Sequence, residues 1–349
     1  MHEKTINRMS DMSLNKAQEA KQNEFSTKCT DVKEHPARRD AYVDVAKGIA
    51  MLLVVRIHTE VFVFLHTPYP IIAVPLFFFL SGFYDNTGKS LRQWFPKTFR
   101  SLFVTGVIWA LITFLYVSSL HYVRERTFSV ERLLEIVWSG GGVMWFLFAL
   151  FWAKCGMWLV RKFSWPFYVV LPVLLIVSVF LSGVNLPLLM DEGVAALPFY
   201  YLGNLLYPYV KRNCGRLSLL AFLGLLCLCL MPMSWFPFVL VPWGGGLPIF
   251  LYPICLVMTV LSFFPVLWLS NRLVSQTWLA NYGTQTLGIL LLHPLMLHTC
   301  AVVLNRLFMP GSFAWIIIFL CAYFLVCIAC YWCSVWISRN VPFLLGKKH

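Results

Sequence analysis

Long apolar runs separated by short polar breaks dominate this chain from about residue 43 to residue 335. Crossing about 30 Å of lipid hydrocarbon takes about 20 mainly apolar residues per helix, and several runs approach that length. Residues of the AVILMFWYC class form 59% of the sequence, and charged residues form only 12%, against about 25% in soluble domains. The sequence therefore predicts an all-α polytopic membrane protein.

The polar breaks divide the apolar part of the chain into ten predicted transmembrane helices. They lie near 43–64, 70–84, 101–119, 143–160, 167–183, 194–209, 217–233, 247–267, 286–305 and 313–335. Several of them contain proline, which membrane helices tolerate because neighbouring groups satisfy the backbone positions that proline frees. Residues 40–338 are thus predicted to form one ten-helix membrane domain.

Lysine and arginine are unevenly distributed between alternate predicted loops, and such residues concentrate on the cytoplasmic side of membranes. The predicted inner loops and the C-terminus carry Lys89, Arg92, Lys97, Arg100, Arg161, Lys162, Lys211, Arg212, Arg216, Arg272, Arg339, Lys347 and Lys348. The predicted outer loops carry Arg124, Arg126, Arg132 and Arg306. Both termini are therefore predicted to be cytoplasmic. A basic rim facing anionic lipid also accounts for the net charge of +13, so no nucleic-acid partner is expected.

The two ends of the chain differ in composition from the apolar part. Residues 1–39 are rich in Lys, Glu, Asn, Gln and Ser and are predicted to form a disordered cytoplasmic tail. Residues 339–349 are predicted to form a short basic cytoplasmic tail. No cleavage site follows a short apolar core, so the first apolar run is expected to be retained as a helix rather than removed as a signal peptide.

The first apolar run, DVAKGIAMLLVVRIHTE, carries five ionisable residues. Lys47 and His58 are eleven residues apart, so on a helix they project within about 20° of each other, with Asp44 close to the same stripe. Arg56 and Glu60 lie on the far side of the helix, four residues apart, where they can pair. The run therefore combines two polar systems on one predicted membrane helix.

Ionisable residues within hydrocarbon cost at least about 2.5–3.5 kcal/mol on insertion scales, so they normally face a cavity or a partner. A buried structural ion pair is the favoured interpretation of Arg56 and Glu60. His58 is interpreted as a functional-site residue, with a packing or helix-bridging histidine as the alternative. The eleven cysteines lie mostly in apolar runs at helical spacing, so they are interpreted as packing residues, and no metal site is predicted.

The positions of Arg39, Asp44, Lys47, Gly48 and His58 resemble the first-helix motif of acyltransferase family 3. Members of this family are integral membrane enzymes that O-acylate sugars of bacterial surface polysaccharides and related acceptors. The resemblance extends over residues 39 to 335. Three later segments also resemble family motifs, namely PLFFFLSGFYDNTGKSLRQWFPKTFRSLF, GGVMWFLFALF and TQTLGILLLHPLM.

Two positions depart from the family pattern. Lys97 stands where the basic Arg-x-x-Arg type motif has its first arginine, so the motif here is Lys97 to Arg100. Lysine keeps the charge but lacks the bidentate geometry with which arginine binds phosphate. Arg56 occupies a position that is commonly apolar or small in the family.

The resemblance implies transfer of an acyl group, expected to be acetyl, from cytoplasmic acyl-CoA to a sugar hydroxyl of a cell-surface or exported glycan. Histidine can act as the base or as the acyl carrier in such a reaction, and His58 is predicted to have that role, with Asp44 and Lys47 orienting it or contacting the donor. The phosphates of acyl-CoA are expected to bind Lys97, Arg100 and Arg39. The family also implies a multi-pass protein of the bacterial inner membrane.

Three further residues are candidates for substrate contacts. His293 precedes Pro294 in an apolar helix, where it can line the same cavity or satisfy a freed carbonyl group. Trp145 and Tyr282 offer stacking surfaces for a sugar or an adenine, although aromatic residues of membrane bundles more often serve as core or interface residues. Glycan-assembly partners and a homo-oligomer are both compatible with the sequence.

Two other functional classes are compatible with the same residues. A proton-coupled transporter or flippase would use His58, Arg56 and Glu60 as a relay. The lack of a clear inverted repeat in the sequence disfavours this class. A regulatory protein that keeps the fold without the chemistry is the other alternative, and the presence of His58 together with Lys47 and Arg100 disfavours it.

Overall fold

A computed structural model of the protein describes residues 40–59, 72–125, 144–181, 184, 186–213, 216–230 and 252–347. Within these residues the structure is helical and contains no β-strand. The described helices belong to one compact unit, Ala41–His349. The predicted tail 1–39, which includes Arg39, and Glu60 lie outside the described residues.

Thirteen α-helices, one π-helix and two short 3₁₀ helices form the described part of the chain. The α-helices are α1 (Ala41–Ile57), α2 (Ala73–Phe83), α3 (Leu91–Thr98), α4 (Thr105–Glu125), α5 (Trp145–Phe163), α6 (Phe167–Phe180), α7 (Met190–Asn213), α8 (Ser218–Leu230), α9 (Tyr252–Leu261), α10 (Phe264–Arg272), α11 (Thr277–Thr284), α12 (Thr286–Leu307) and α13 (Phe313–Asn340). The π-helix is Phe99–Val104, and the 3₁₀ helices are Pro187–Leu189 and Pro342–Leu345.

Four described segments are long and apolar enough to cross a membrane. They are Leu91–Ser119, Pro253–Arg272, Thr286–Leu307 and Phe313–Asn340. Three shorter apolar helices accompany them, Ala73–Phe83, Phe167–Ser178 and Ser218–Leu230. The all-helical membrane architecture agrees with the sequence analysis, whereas the count of ten spans and the cytoplasmic position of the termini stay predictions.

Helices α1 and α11 approach each other closely through two glycines. A Cβ atom on Gly283 of α11 would meet the Asp44 carbonyl oxygen of α1, and one on Gly48 of α1 would lie 2.5 Å from the Leu279 carbonyl oxygen. Lipid tails are as apolar as the helices, so the hydrophobic effect does not drive helices together in a membrane. Small residues favour helix association there because they let the two backbones come close and pack. The α1–α11 contact therefore holds α1, which carries Lys47 and His58, firmly in the bundle.

Polar contacts join several helix ends to one another. Asp85, which follows α2, bonds to Arg161 near the end of α5. The Nε1 group of Trp109 in α4 donates to the Leu344 carbonyl oxygen at 2.8 Å, which joins the C-terminal segment to the beginning of α4. The last α-helix ends at Asn340. The segment after it also packs against the residues at the beginning of α4, as far as Gly346.

Candidate functional site

A cavity of about 360 Å³ lies between α1, α2, α5 and α12, and we call it the first cavity. Most of its lining is apolar, with Met51, Phe77 and Leu290 among the wall residues. Its lining also includes five polar or amphipathic side chains: Lys47, His58, Ser81, Trp145 and Thr286. An apolar pocket with a few convergent polar groups is the usual form of a small-molecule site. The first cavity is therefore the candidate active site.

His58 and His293 form a pair beside this cavity. The two rings pack edge to face with centroids 5.0 Å apart, and His293 Nε2 lies 3.4 Å from His58 Nδ1. His293 is fully buried in α12, whereas His58 directly follows α1 and is exposed to the cavity. Only the tertiary fold brings these residues together, since they are far apart in the sequence. We call them the histidine pair.

Backbone carbonyl groups determine which nitrogen of each neutral ring carries the proton. His58 Nδ1 lies 2.9 Å from the Val54 carbonyl oxygen, and His293 Nδ1 lies 3.0 Å from that of Ile289. A carbonyl oxygen only accepts hydrogen bonds, so each Nδ1 is the protonated nitrogen. The lone pair of His293 Nε2 then faces the Nδ1–H group of His58. His58 Nε2 is left with a lone pair that can take a proton or attack a carbonyl carbon.

Lys47 occupies the opposite end of the first cavity from His58. Eleven residues of helix separate them, which corresponds to about 16 Å along the axis. The Lys47 ammonium group lies 5.5 Å from the centroid of the Tyr84 ring. The predicted common stripe of Lys47 and His58 therefore faces one cavity. Asp44 is buried one turn before Lys47 and is not among the residues that line the cavity.

Of the predicted phosphate-binding residues, the two that the structure describes, Lys97 and Arg100, lie outside the cavity lining, and Arg39 lies outside the described residues. Lys97 is exposed at the end of α3, and Arg100 is half-buried in the π-helix Phe99–Val104. Leu102 of the same π-helix does line the first cavity. In this wider turn the Thr105 hydroxyl donates to the Arg100 carbonyl oxygen, five residues back. Single π-helical turns are frequent at functional sites, and this one connects the basic motif to the cavity wall.

The remaining predicted site residues separate into two groups. Trp145 lines the first cavity at the beginning of α5, as a stacking role requires. Tyr282 is buried in α11, where its ring stacks on Tyr331 at a centroid distance of 6.1 Å, and it does not line the cavity. Arg56 is half-buried in the last turn of α1, and its predicted pairing with Glu60 lies outside the described residues.

Ser81 and Thr286 also line the first cavity, although neither was predicted as a site residue from the sequence. Each is a hydroxyl residue in a largely apolar helix, and this is the signal by which it can be recognised. Ser81 belongs to the Ser-Gly end of α2, and Thr286 is the first residue of α12.

A second polar group, also not identified from the sequence, is centred on the fully buried carboxylate of Asp85. Its Oδ2 atom accepts from Arg161 Nε at 2.8 Å and from the Thr87 hydroxyl at 2.8 Å. Its Oδ1 atom accepts from the Tyr200 hydroxyl at 2.9 Å, and Lys154 donates to that hydroxyl at 3.0 Å. We call these residues the Asp85 cluster. The cluster joins the end of α2 to α5 and α7, and none of its members lines the first cavity.

Comparison with known proteins matches residues 40–335 to the family described as an acyltransferase domain, acyltransferase family 3. Searches of curated proteins and of solved structures gave no match. The family match covers most of the chain and agrees with the resemblance seen in the sequence motifs. The chain therefore belongs to acyltransferase family 3, and it is a membrane acyltransferase.

Proposed function

We propose that the protein transfers an acyl group, most simply acetyl, from cytoplasmic acyl-CoA to a sugar hydroxyl of a cell-surface or exported glycan. The observation that carries this proposal is the placement of Lys47 and His58 at the two ends of one apolar cavity. A linear thioester arm laid along this cavity would have its phosphate-bearing end near Lys47 and its acyl end near His58.

The dimensions of the cavity support a donor that enters only in part. A volume of about 360 Å³ is near the lower end of the range of about 300–1,000 Å³ for small-molecule pockets. The walls are mainly apolar, which suits an extended chain rather than a charged nucleotide. The nucleotide and its phosphates would stay at the rim, where Lys97 and Arg100 lie near the Leu102 wall. Arg39 is proposed for the same rim from the sequence motif alone.

The reaction needs one base. His58 Nε2 takes the proton of the sugar hydroxyl, whose oxygen attacks the thioester carbonyl carbon. The C–S bond breaks, the ester C–O bond forms, and the thiolate of CoA leaves with the proton returned by the imidazolium. His293 supports the charged ring because its Nε2 lone pair faces the His58 Nδ1–H group. An N-acyl-His58 intermediate is the second route open to the same lone pair.

The family membership favours this reaction over the transporter and regulatory alternatives. The bacterial inner membrane is the proposed location, because the expected donor is cytoplasmic and the expected acceptor is exported.

The test uses purified protein in lipid nanodiscs with acetyl-CoA labelled in the acetyl group and a crude glycan extract. We expect His58-dependent movement of label into the glycan. The variant His58→Gln keeps a side-chain amide near the Val54 carbonyl group but has no base. Val303→Ala, which changes an exposed side chain outside the cavity, is the matched control. Equal transfer by wild type and His58→Gln would overturn the assignment of His58.

Label retention separates the two routes. If label remains on wild-type protein after acetyl-CoA is removed, and is lost on addition of glycan, the acyl-histidine route operates. Loss of transfer in His58→Gln without any retained label in wild type supports the base.

A further inference from the structure

A second cavity, of about 260 Å³, lies on the other side of His58 from Lys47. Its described lining consists of His58, Thr59, Pro294, Leu297, His298, Ala301 and Phe319. His58 is thus common to both cavities, and it stands at the boundary between them.

Helix α12 shows how the two cavities are arranged. Thr286, Leu287 and Leu290 line the first cavity, whereas Pro294 and Leu297 line the second. The two levels follow each other along one helix, with about 10 Å of rise between Leu290 and Leu297. His293 is fully buried between these levels and contacts His58. The cavities are therefore stacked along α12, with the histidine pair between them.

The chemistry of the second cavity differs from that of the first. Its described lining contains no Lys, Arg, Asp or Glu, so this part of the wall offers no charge for a phosphate-bearing donor. It does offer polar side chains from His58, Thr59 and His298 beside the aromatic ring of Phe319. A few polar groups within an apolar and aromatic wall suit a neutral ligand that carries hydroxyl groups.

His298 packs against a neighbouring aromatic ring. Its ring packs edge to face against Tyr116 at a centroid distance of 6.1 Å. The Thr299 hydroxyl donates to the Leu295 carbonyl oxygen at 2.8 Å, so it accepts from the Tyr116 hydroxyl at 2.7 Å. Tyr116 is thereby fixed beside His298, although the His298 ring remains exposed. This arrangement leaves the polar atoms of His298 available to a ligand.

We infer that the second cavity is the acceptor site, where a neutral sugar hydroxyl approaches His58 from the side opposite to the donor, and that His298 positions the sugar. This inference rests on the proposed acyl transfer. In the transfer step the sugar O–H gives its proton to His58 and its oxygen to the acyl carbon, while the C–S bond of the donor breaks on the first-cavity side. The acyl group therefore passes between the two cavities at His58.

The experiment fills each cavity separately from the same helix. Ala301→Trp occupies the second cavity, and Leu290→Trp occupies the first. Val303→Trp places the same bulk on an exposed position outside both cavities and is the matched control. For each variant, acetyl-CoA affinity is measured by calorimetry, and acetyl transfer is measured as a function of the concentration of the glycan extract.

We expect Ala301→Trp to lose transfer while it binds acetyl-CoA like wild type, and Leu290→Trp to lose acetyl-CoA binding. His298→Ala removes a hydrogen-bonding group without adding bulk, and it should raise the apparent acceptor KM about tenfold while leaving the donor KM unchanged. His298→Asn should recover part of that loss. Separate assays with the delipidated glycan and with the lipid extract distinguish a free glycan from a lipid-linked sugar.

Unchanged acceptor dependence in both Ala301→Trp and His298→Ala would overturn the acceptor site. Loss of acetyl-CoA binding in Ala301→Trp, with Val303→Trp normal, would show that the second cavity belongs to the donor, and this too would overturn it. Failure of the proposed function looks different, because wild type itself would then neither bind nor consume acetyl-CoA.

Discussion

The histidine pair and the Asp85 cluster are both polar groups inside an apolar bundle, but their hydrogen bonds are arranged differently. Both carboxylate oxygens of Asp85 receive hydrogen bonds from protein groups, and the cluster lines neither cavity described above. His58 uses Nδ1 for protein contacts, and its ring borders two cavities. A polar group satisfied by its neighbours stabilises the packing, whereas one facing a cavity can react with a ligand. Substitutions in the histidine pair should therefore lower the rate of acyl transfer, whereas substitutions in the Asp85 cluster should lower the stability of the fold.

The largest expected effect is on catalysis. His58→Gln should lower the rate of acetyl transfer by about 10²–10⁴-fold, the usual contribution of a positioned general base. The midpoint of thermal unfolding should change little, because the ring already faces a cavity. Transfer rate and unfolding temperature measured on one preparation check this prediction. A large fall in the unfolding temperature would instead show that His58 is a structural residue.

The converse variant is Asp85→Ala, which should destabilise the protein by about 2–4 kcal/mol. Removing Asp85 leaves Arg161 without its carboxylate and the Tyr200 hydroxyl, to which Lys154 donates, without its acceptor. The partial exposure of Arg161 limits its share of the loss. Thermal unfolding in nanodiscs measures the effect. The rate per folded molecule should stay close to that of wild type. A selective loss of rate at unchanged stability would contradict the assignment of the cluster to packing.

His293 tests whether the buried member of the pair acts through His58. His293→Leu removes the Nε2 lone pair that faces His58 and should lower kcat about tenfold, the equivalent of one hydrogen bond. The donor KM should not change, because His293 does not line the first cavity. His293→Gln restores an acceptor and should recover part of kcat. Equal kcat in the Leu and Gln variants would show that only the packing of α12 matters.

The smallest expected effects concern the donor rim. Lys47→Ala should raise the KM for acetyl-CoA by about fivefold to tenfold, because Lys47 lines the cavity that would hold the donor. Lys97→Ala should raise it by about threefold or less, since exposed charges are screened by water and salt. The variant that combines Lys97→Ala with Arg100→Ala should bind acetyl-CoA more weakly than either single variant. The affinity for acetyl-CoA, measured at low and at high salt, checks this order of effects. A larger effect at Lys97 than at Lys47 would contradict the proposed orientation of the donor in the first cavity.

Much of the candidate site was predictable because it lies on one helix. The spacing of Lys47 and His58 places them on one stripe of any regular α-helix, and both line the first cavity. Trp145 lines the cavity as its proposed stacking role requires. Tyr282, by contrast, faces Tyr331 instead of the cavity. Its helix packs against α1 through Gly283, a contact that the spacing of apolar residues does not reveal.

By itself, the sequence determined that this is an apolar helical protein, that it carries the motifs of acyltransferase family 3, and that Lys47 and His58 share one side of a helix. Helical periodicity is local, so these conclusions need no knowledge of neighbouring helices. The tertiary structure alone decided that His293 lies against His58, that Asp85 meets Arg161, and that two cavities share His58. These contacts depend on which helices pack together. Helix pairing is set by the close packing of backbones and side chains throughout the bundle, so it cannot be found from the spacing of residues on one helix.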